Sequence, residues 1–351
     1  MQSIIQPFYG IRPHEHTNYS VANNLLYCSS EDTNPINDFN KKAHHIEKLY
    51  KNMKLHKDSR PCFYAYRSIS NLFISVGLIA KINTKFIGKN IFPHEEVIKD
   101  KSNIYAFSLR DRKIQINPVI LIHDHITEAE HHLQSLIANN KPLISMKKIN
   151  HSHEIWPIYE DDIIKKAYSS LETLLIADGH HRLDSFAKLS NIPFFMALLI
   201  STKHLYPQKI LRKYIYLTAQ QNNVCLDFFI NNFNLKIIEN YSQLNSLNKF
   251  IIFSDKKILI IDEEVNNLLI GKILSFLDAN INYDANGTLN FENHPLSDVT
   301  SQEVNNISLS SQFSIIIPSI KFNEFEINGC YPPHSTWFEP KLIDGLISMI
   351  L

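Results

Sequence analysis

The stretch at 173–201, "TLLIADGHHRLDSFAKLSNIPFFMALLIS", constrains the fold of this chain more than any other. A short apolar run ends at Asp178 and a glycine. In the following 180–190, Leu183, Phe186, Ala187 and Leu189 supply the buried side of a helix. A second apolar run, 192–201, has the length and continuity of a strand covered on both faces. The pattern predicts strand, tight turn, helix and strand, with "ADGHHR" at the turn. Only 8 of the 351 residues are glycine. One placed here allows a sharp backbone turn and close approach of a ligand to the main chain.

The turn admits three chemistries. The N–H groups that open a helix, with the positive end of its dipole behind them, attract anions. His180, His181 and Arg182 add side-chain donors, and the planar arginine fork suits phosphate. Asp178 is badly placed for a polyanion unless Mg²⁺ lies between them, a role open to a carboxylate at this position. A zinc site is the second chemistry. Adjacent histidines on a helix point about 100° apart, however, and zinc helices favour histidines at i and i+4. The third is a plain helix cap with surface histidines. On the residues alone phosphate is favoured, and metal and cap stay open.

Two further stretches carry chemistry. In "FPHEE" (92–96), Pro93 precludes a helix interior, and Glu95 sits at a turn from which it can reach a cleft. A carboxylate facing a phosphate site is suited to taking a proton from an attacking hydroxyl. Taken alone, the same residues read as a solvent-facing acidic turn. "YPPHSTWFEPK" (331–341) is a rigid mixed segment with hydroxyls at Ser335 and Thr336, then Trp337 and Lys341. It suits the wall of a binding site or a packed terminal strand.

Around these, "CFYAYR" (62–67) and "LFISVGLIAKI" (72–82) read as a hairpin turning at "SISN", and "NPVILIHD" contains a buried strand. "ITEAEHHLQSLIANN" (126–140) reads as an amphipathic helix with Ala129, Leu133, Leu136 and Ile137 inward. The pairs His44/His45, His123/His125, His131/His132 and His151/His153 read as surface residues. The texture changes near 205. Beyond it come a hairpin at "FIIFSDKKILIID", a helix at "NNLLIGKILSFLDAN" and a strand at "FSIIIPSI". Boundaries are expected at 1–60, 61–205 and 206–351.

Lys+Arg and Asp+Glu each total 35, a balance that argues against broad nucleic-acid binding. Cys28, Cys62, Cys225 and Cys330 form no C-x-x-C pair and read as reduced thiols. The start lacks a secretory pattern, and apolar windows are broken by charge before membrane-spanning length. The expectation is a cytoplasmic protein without a membrane partner.

Taken in order, "IQPFYGIRP", "FPHEE", "NPVILIHD", "HEIWPIYEDD", "IADGHHRLDSFAKL" and "PPHSTWFEPK" resemble the signatures of the domain-of-unknown-function 1015 family, related to free-serine kinases. The resemblance spans nearly the whole chain. It implies a mixed α+β fold, with a ParB/sulfiredoxin-like nucleotide-binding core, an N-terminal extension and a C-terminal α+β domain whose last segment returns to the site. It also makes 100–165 an insertion on that core. Carried over, Glu95 becomes the general base, with His94 beside it and Asp178 completing the catalytic set. Asp178 also takes the metal, Gly179, His180, His181 and Arg182 take phosphate, and His334, Ser335, Thr336 and Lys341 wall the pocket. The implied reaction moves a phosphoryl group from ATP or ADP, with Mg²⁺, to free L-serine or a related hydroxy amino acid. The other function class is a catalytically inactive nucleotide-binding regulator of the ParB-like type. Two positions depart from the family pattern: His334 stands where lysine is usual, and Leu183 where an aromatic residue often follows the arginine.

Overall fold

The computed structural model describes residues 4–14, 35–52, 54–148, 151–159, 161–215, 217–238, 248–254, 257–283, 290–298, 303–304, 306–307, 313–320 and 331–351. Cys28 and Cys330 lie outside these residues, whereas Cys62 and Cys225 are buried free thiols. The chain forms two compact units, Met1–Tyr206 with Pro340–Leu351, and Pro207–Glu339.

The first unit is built on a mixed sheet. Its strands are β1 (Ile5–Gln6), β2 (Phe63–Ser70), β3 (Ile74–Asn83), β4 (Ile91–Phe92), β5 (Val119–His123), β6 (Ile144–Lys148), β7 (His151–Ile158), β8 (Leu174–Asp178) and β9 (Phe194–Ser201). The order across the sheet is β4-β8-β5-β9-β3-β2-β7-β6, with β1 paired to β3. Every residue of β5 is buried, as is all of β9 after Phe194. That explains why both strands read as continuous apolar runs rather than alternating ones. β2 and β3 form the expected hairpin, with Tyr64 opposite Ile79 and Ile69 opposite Ile74.

Helices α1 (Pro35–Lys51), α2 (Lys99–Arg112), α3 (Thr127–Asn139), α4 (Asp162–Tyr168) and α5 (His180–Ala187) accompany this sheet. In α3, Ala129, Leu133 and Ile137 are buried and Leu136 packs against the same core. In α5 the buried residues are Leu183, Ser185 and Phe186 together with His180, whereas Ala187 is exposed. The helix ends at Ala187, about one turn before the expected 190, while Leu189 beyond it still packs against the core.

Within 100–165, the stretch that the resemblance makes an insertion, β5 lies in the sheet between β8 and β9. Two readings of the sequence need correction. His123 is buried, and burial depresses its imidazole to about 4 despite a hydrogen bond to the Asp124 main chain. His153 is buried as well, with its Nδ1 hydrogen-bonded to the Tyr66 hydroxyl at 2.8 Å. Among the described residues, no helix is long and apolar enough to cross a membrane.

The second unit holds a six-stranded antiparallel sheet in the order Leu235–Ile237, Lys257–Ile261, Ile251–Ser254, Ser314–Ile317, Ile210–Tyr214, Phe291–Pro295. Helices Ala219–Asn232 and Asn267–Asn280 contribute to its core, where Phe228 and Phe276 stack with ring centroids 3.6 Å apart. A capping box between Thr218 and Gln221 starts the first of these helices.

Candidate active site

Two motifs remote in sequence meet because β4 and β8 are parallel neighbours, with Ile91 opposite Leu174 and Phe92 opposite Leu175. Pro93 and its successors therefore leave the sheet at the same end as Asp178 and Gly179. Ligands of α/β sheets gather at the carboxyl ends of such strands. The His94 and His180 rings meet edge to face, with centroids 4.6 Å apart and planes at 80°. His94 is also hydrogen-bonded to the Ile176 main chain, and its Nε2 lies 3.8 Å from Glu95 Oε1. Burial depresses His94 to about 4, so it is a neutral imidazole near pH 7 and its contact with Glu95 is not an ion pair. Glu95 is itself buried, not the solvent-facing turn it resembles in isolation.

β8 enters the turn irregularly. Its pairing with β5 shifts register between Ile176 and Asp178, a bulge that re-aims the strand end. Gly179 then adopts φ +94°, where side-chain-bearing residues are strained. A Cβ on Gly179 would stand 3.0 Å from Arg182 Nη2 and 3.1 Å from its Cζ and Nε. The glycine thus makes room for a guanidinium of the protein itself.

Arg182 is tied into the fold rather than offered as an open fork. Nη1 donates to the carbonyls of Asn117 (3.0 Å) and Pro118 (2.8 Å), and Nη2 donates to Asp178 Oδ2 (2.6 Å). Releasing it would strip three acceptors of a donor, each costing about 1–3 kcal/mol where water is excluded. Asn117 is fixed in turn by donating to Asp344 Oδ1 at 2.5 Å, and Asp344 pairs with Lys42 of α1.

The other oxygen of Asp178 accepts from Lys341 Nζ at 2.5 Å. Burial pushes the Asp178 carboxyl up, but Lys341 and Arg182 outweigh it and hold the group below the usual carboxylate range. With both oxygens engaged by cations, Asp178 does not fit the metal-ligand role that the resemblance gives it. Among the described residues, no group of three or more His, Cys, Asp or Glu is set to hold a metal ion. Neither His180 nor His181 belongs to such a group among the described residues.

The two histidines of the turn differ. His180 is buried, its Nε2 finds no hydrogen-bond partner among the described residues, and burial with His94 alongside keeps its imidazole neutral. His181 Nε2 accepts the Ile98 main-chain N–H at 3.0 Å, which leaves the ring proton of its neutral form on Nδ1. Burial, then the Lys101 charge, depress it to about 4.

Lys101 and Tyr105 of α2 carry no motif and escape sequence reasoning. Burial lowers Lys101 to about 8 and raises the Tyr105 hydroxyl, which feels the charges of Arg182 and Asp178. α2 is held on α5 by Ser102, which donates to Asp184, and by Lys188, which reaches Ser102 Oγ at 3.0 Å and Asp184 at 2.8 Å.

His94, Glu95, Asp178, Gly179, His180, His181, Arg182 and Lys341 thus belong to the first unit. His334, Ser335 and Thr336 belong to the second. There His334 has φ +62°, and its carbonyl accepts from Arg212 Nη2 (2.7 Å) and Asn293 Nδ2 (3.0 Å). Ser335 Oγ donates to the Pro332 carbonyl at 2.5 Å.

No curated protein matches the chain in sequence. Among solved structures, it is similar to a free serine kinase mutant in complex with ADP, at 11% identity and TM-score 0.43, over 76% of this chain and 92% of that one. A conserved hypothetical protein from Pyrococcus furiosus aligns at 12% identity and TM-score 0.44, over 76% and 93%. SbnI from Staphylococcus aureus, truncated at its C-terminus, aligns at 9% identity and TM-score 0.47, over 76% and 85%. The family model described as a protein of unknown function, DUF1015, matches residues 12–193, and the chain belongs to that family.

Proposed function

We propose that this protein is a cytoplasmic small-molecule kinase that transfers a phosphoryl group from ATP or ADP to free L-serine or a related hydroxy amino acid. The observation that carries the reading is the meeting of "FPHEE" and "ADGHHR" at one end of the parallel strands β4 and β8, marked by the His94–His180 contact. A carboxylate and a cationic, glycine-containing helix start are the two parts that phosphoryl transfer to a hydroxyl requires.

In this reading Glu95 takes the proton of the serine hydroxyl as its oxygen forms a bond to phosphorus. The bond from phosphorus to the bridging oxygen of the nucleotide breaks, and the shortened nucleotide leaves. The turn at 178–182 binds the phosphates and Lys341 walls the pocket, while neutral His94 stands beside the base without competing for its proton. Magnesium belongs to the nucleotide substrate, and no step is assigned to a resident ion. Incubation with Mg²⁺, free serine and either nucleotide yields O-phosphoserine, and the product disappears in Glu95→Gln. Absence of product with both donors, or full activity in Glu95→Gln, overturns the assignment.

One observation favours a regulatory, non-catalytic reading. Asp178, Arg182 and Lys341 satisfy one another without a ligand. In that case calorimetry detects nucleotide binding, and no hydroxy amino acid is phosphorylated.

A further inference from the structure

The phosphate-binding reading of the turn leaves open which cation meets the ligand. Arg182 is the residue that sequence reasoning selects. Its guanidinium, however, is committed to two main-chain carbonyls and Asp178, and it lies against the Gly179 Cα. Only 12% of its side chain is exposed, against 33% for Lys341. If Lys341 swings away, Asp178 keeps Arg182 as its counter-charge. If Arg182 left instead, two carbonyls would lose a donor and the Gly179 turn its neighbour. Lysine is a compact charge on a flexible stem and exchanges partners at little cost in geometry, whereas a planar guanidinium held at three acceptors does not.

We infer that Lys341 is the phosphate-binding cation of this site, exchanging Asp178 for a ligand phosphate, and that Arg182 is a positioning residue for Asp178 and Gly179. The inference rests on the phosphate-binding reading given above and specifies the ligand as a nucleoside di- or triphosphate, engaged through its phosphates.

The test is calorimetric titration of the full chain with ADP, inorganic pyrophosphate and adenosine. In Lys341→Gln, affinity for ADP and pyrophosphate falls by about tenfold or more, as expected for loss of a charge-assisted contact, while adenosine binding and the unfolding temperature stay close to wild type. Lys341→Arg restores most of the loss. Arg182→Lys lowers the unfolding temperature with or without ligand. Wild-type ADP affinity in Lys341→Gln, or parallel loss of adenosine, overturns the inference. So does an Arg182→Lys variant that keeps its unfolding temperature and alone loses ADP. Should Lys341→Gln fail to fold, amine labelling of the wild type decides: ADP protects Lys341, and unchanged labelling overturns the inference. Lys341-dependent ADP binding without serine phosphorylation would sink the kinase reading and leave this inference standing. Phosphoserine formation with unaltered kinetics in Lys341→Gln would do the reverse.

Discussion

His94 and His180 pack edge to face, 4.6 Å between centroids, at the ends of two parallel strands, and neither ring is charged near pH 7. The neutrality of His94 matters for Glu95, 3.8 Å from its Nε2. A protonated imidazole at that distance would stabilise the carboxylate and weaken it as a base.

If Glu95 is the base, Glu95→Gln preserves shape and hydrogen-bonding capacity and removes only the proton acceptor. Turnover to phosphoserine then drops by roughly 10²–10⁴-fold. Nucleotide affinity by calorimetry stays near wild type, because the phosphates are bound elsewhere. A comparable loss of nucleotide affinity would instead place Glu95 in binding.

Gly179 gives a prediction about the turn. Valine at φ +94° carries backbone strain on the order of 1–3 kcal/mol, and its Cβ meets the Arg182 guanidinium at 3.0 Å. Gly179→Val therefore lowers the unfolding temperature modestly and abolishes nucleotide binding, while far-UV circular dichroism keeps most of the native signal. Wild-type ADP affinity in this variant would show that the turn is not the phosphate site.

The alternation between apolar runs and polar turns made β2, β3, β5, α3, α5 and β9 legible, because burial is written into the sequence at fixed periods. The strand order was not, since pairing partners carry no local signal. β5 lies between β8 and β9, and nothing in its own residues names those partners. At the site, residue types were visible but their partners were not. "ADGHHR" announced an arginine, and only three dimensions show that its donors face Asn117, Pro118 and Asp178. Lys101 sits in "KDKSNIY", a run indistinguishable from solvated surface, and becomes special only because α2 packs it beside His181.

Lys101 yields its own prediction. Burial depresses its ammonium to about 8, so a large share of this amine is uncharged and nucleophilic at pH 8, whereas ordinary lysines remain charged. Trace acylation at pH 8 followed by peptide mapping finds Lys101 among the most reactive lysines, and nucleotide slows its modification. Reactivity equal to that of exposed lysines would contradict the depressed value.

Acid sensitivity is the last consequence. His94 and His123 are buried neutral and depressed to about 4, below the ordinary 6.5 that they regain on unfolding. As the pH falls through 6.5 the unfolded chain binds protons that the native state refuses, so stability declines until the native groups titrate near 4. Each group costs about 2 kcal/mol by pH 5. Urea unfolding at pH 7, 6 and 5 shows a progressive loss of stability, smaller in His123→Asn, which removes one of these titrations while those of His94, His180 and His181 remain. A flat profile across that range would mean that these imidazoles accept protons in the folded protein, and His94 would then be an ion-pair partner of Glu95 instead of a neutral neighbour.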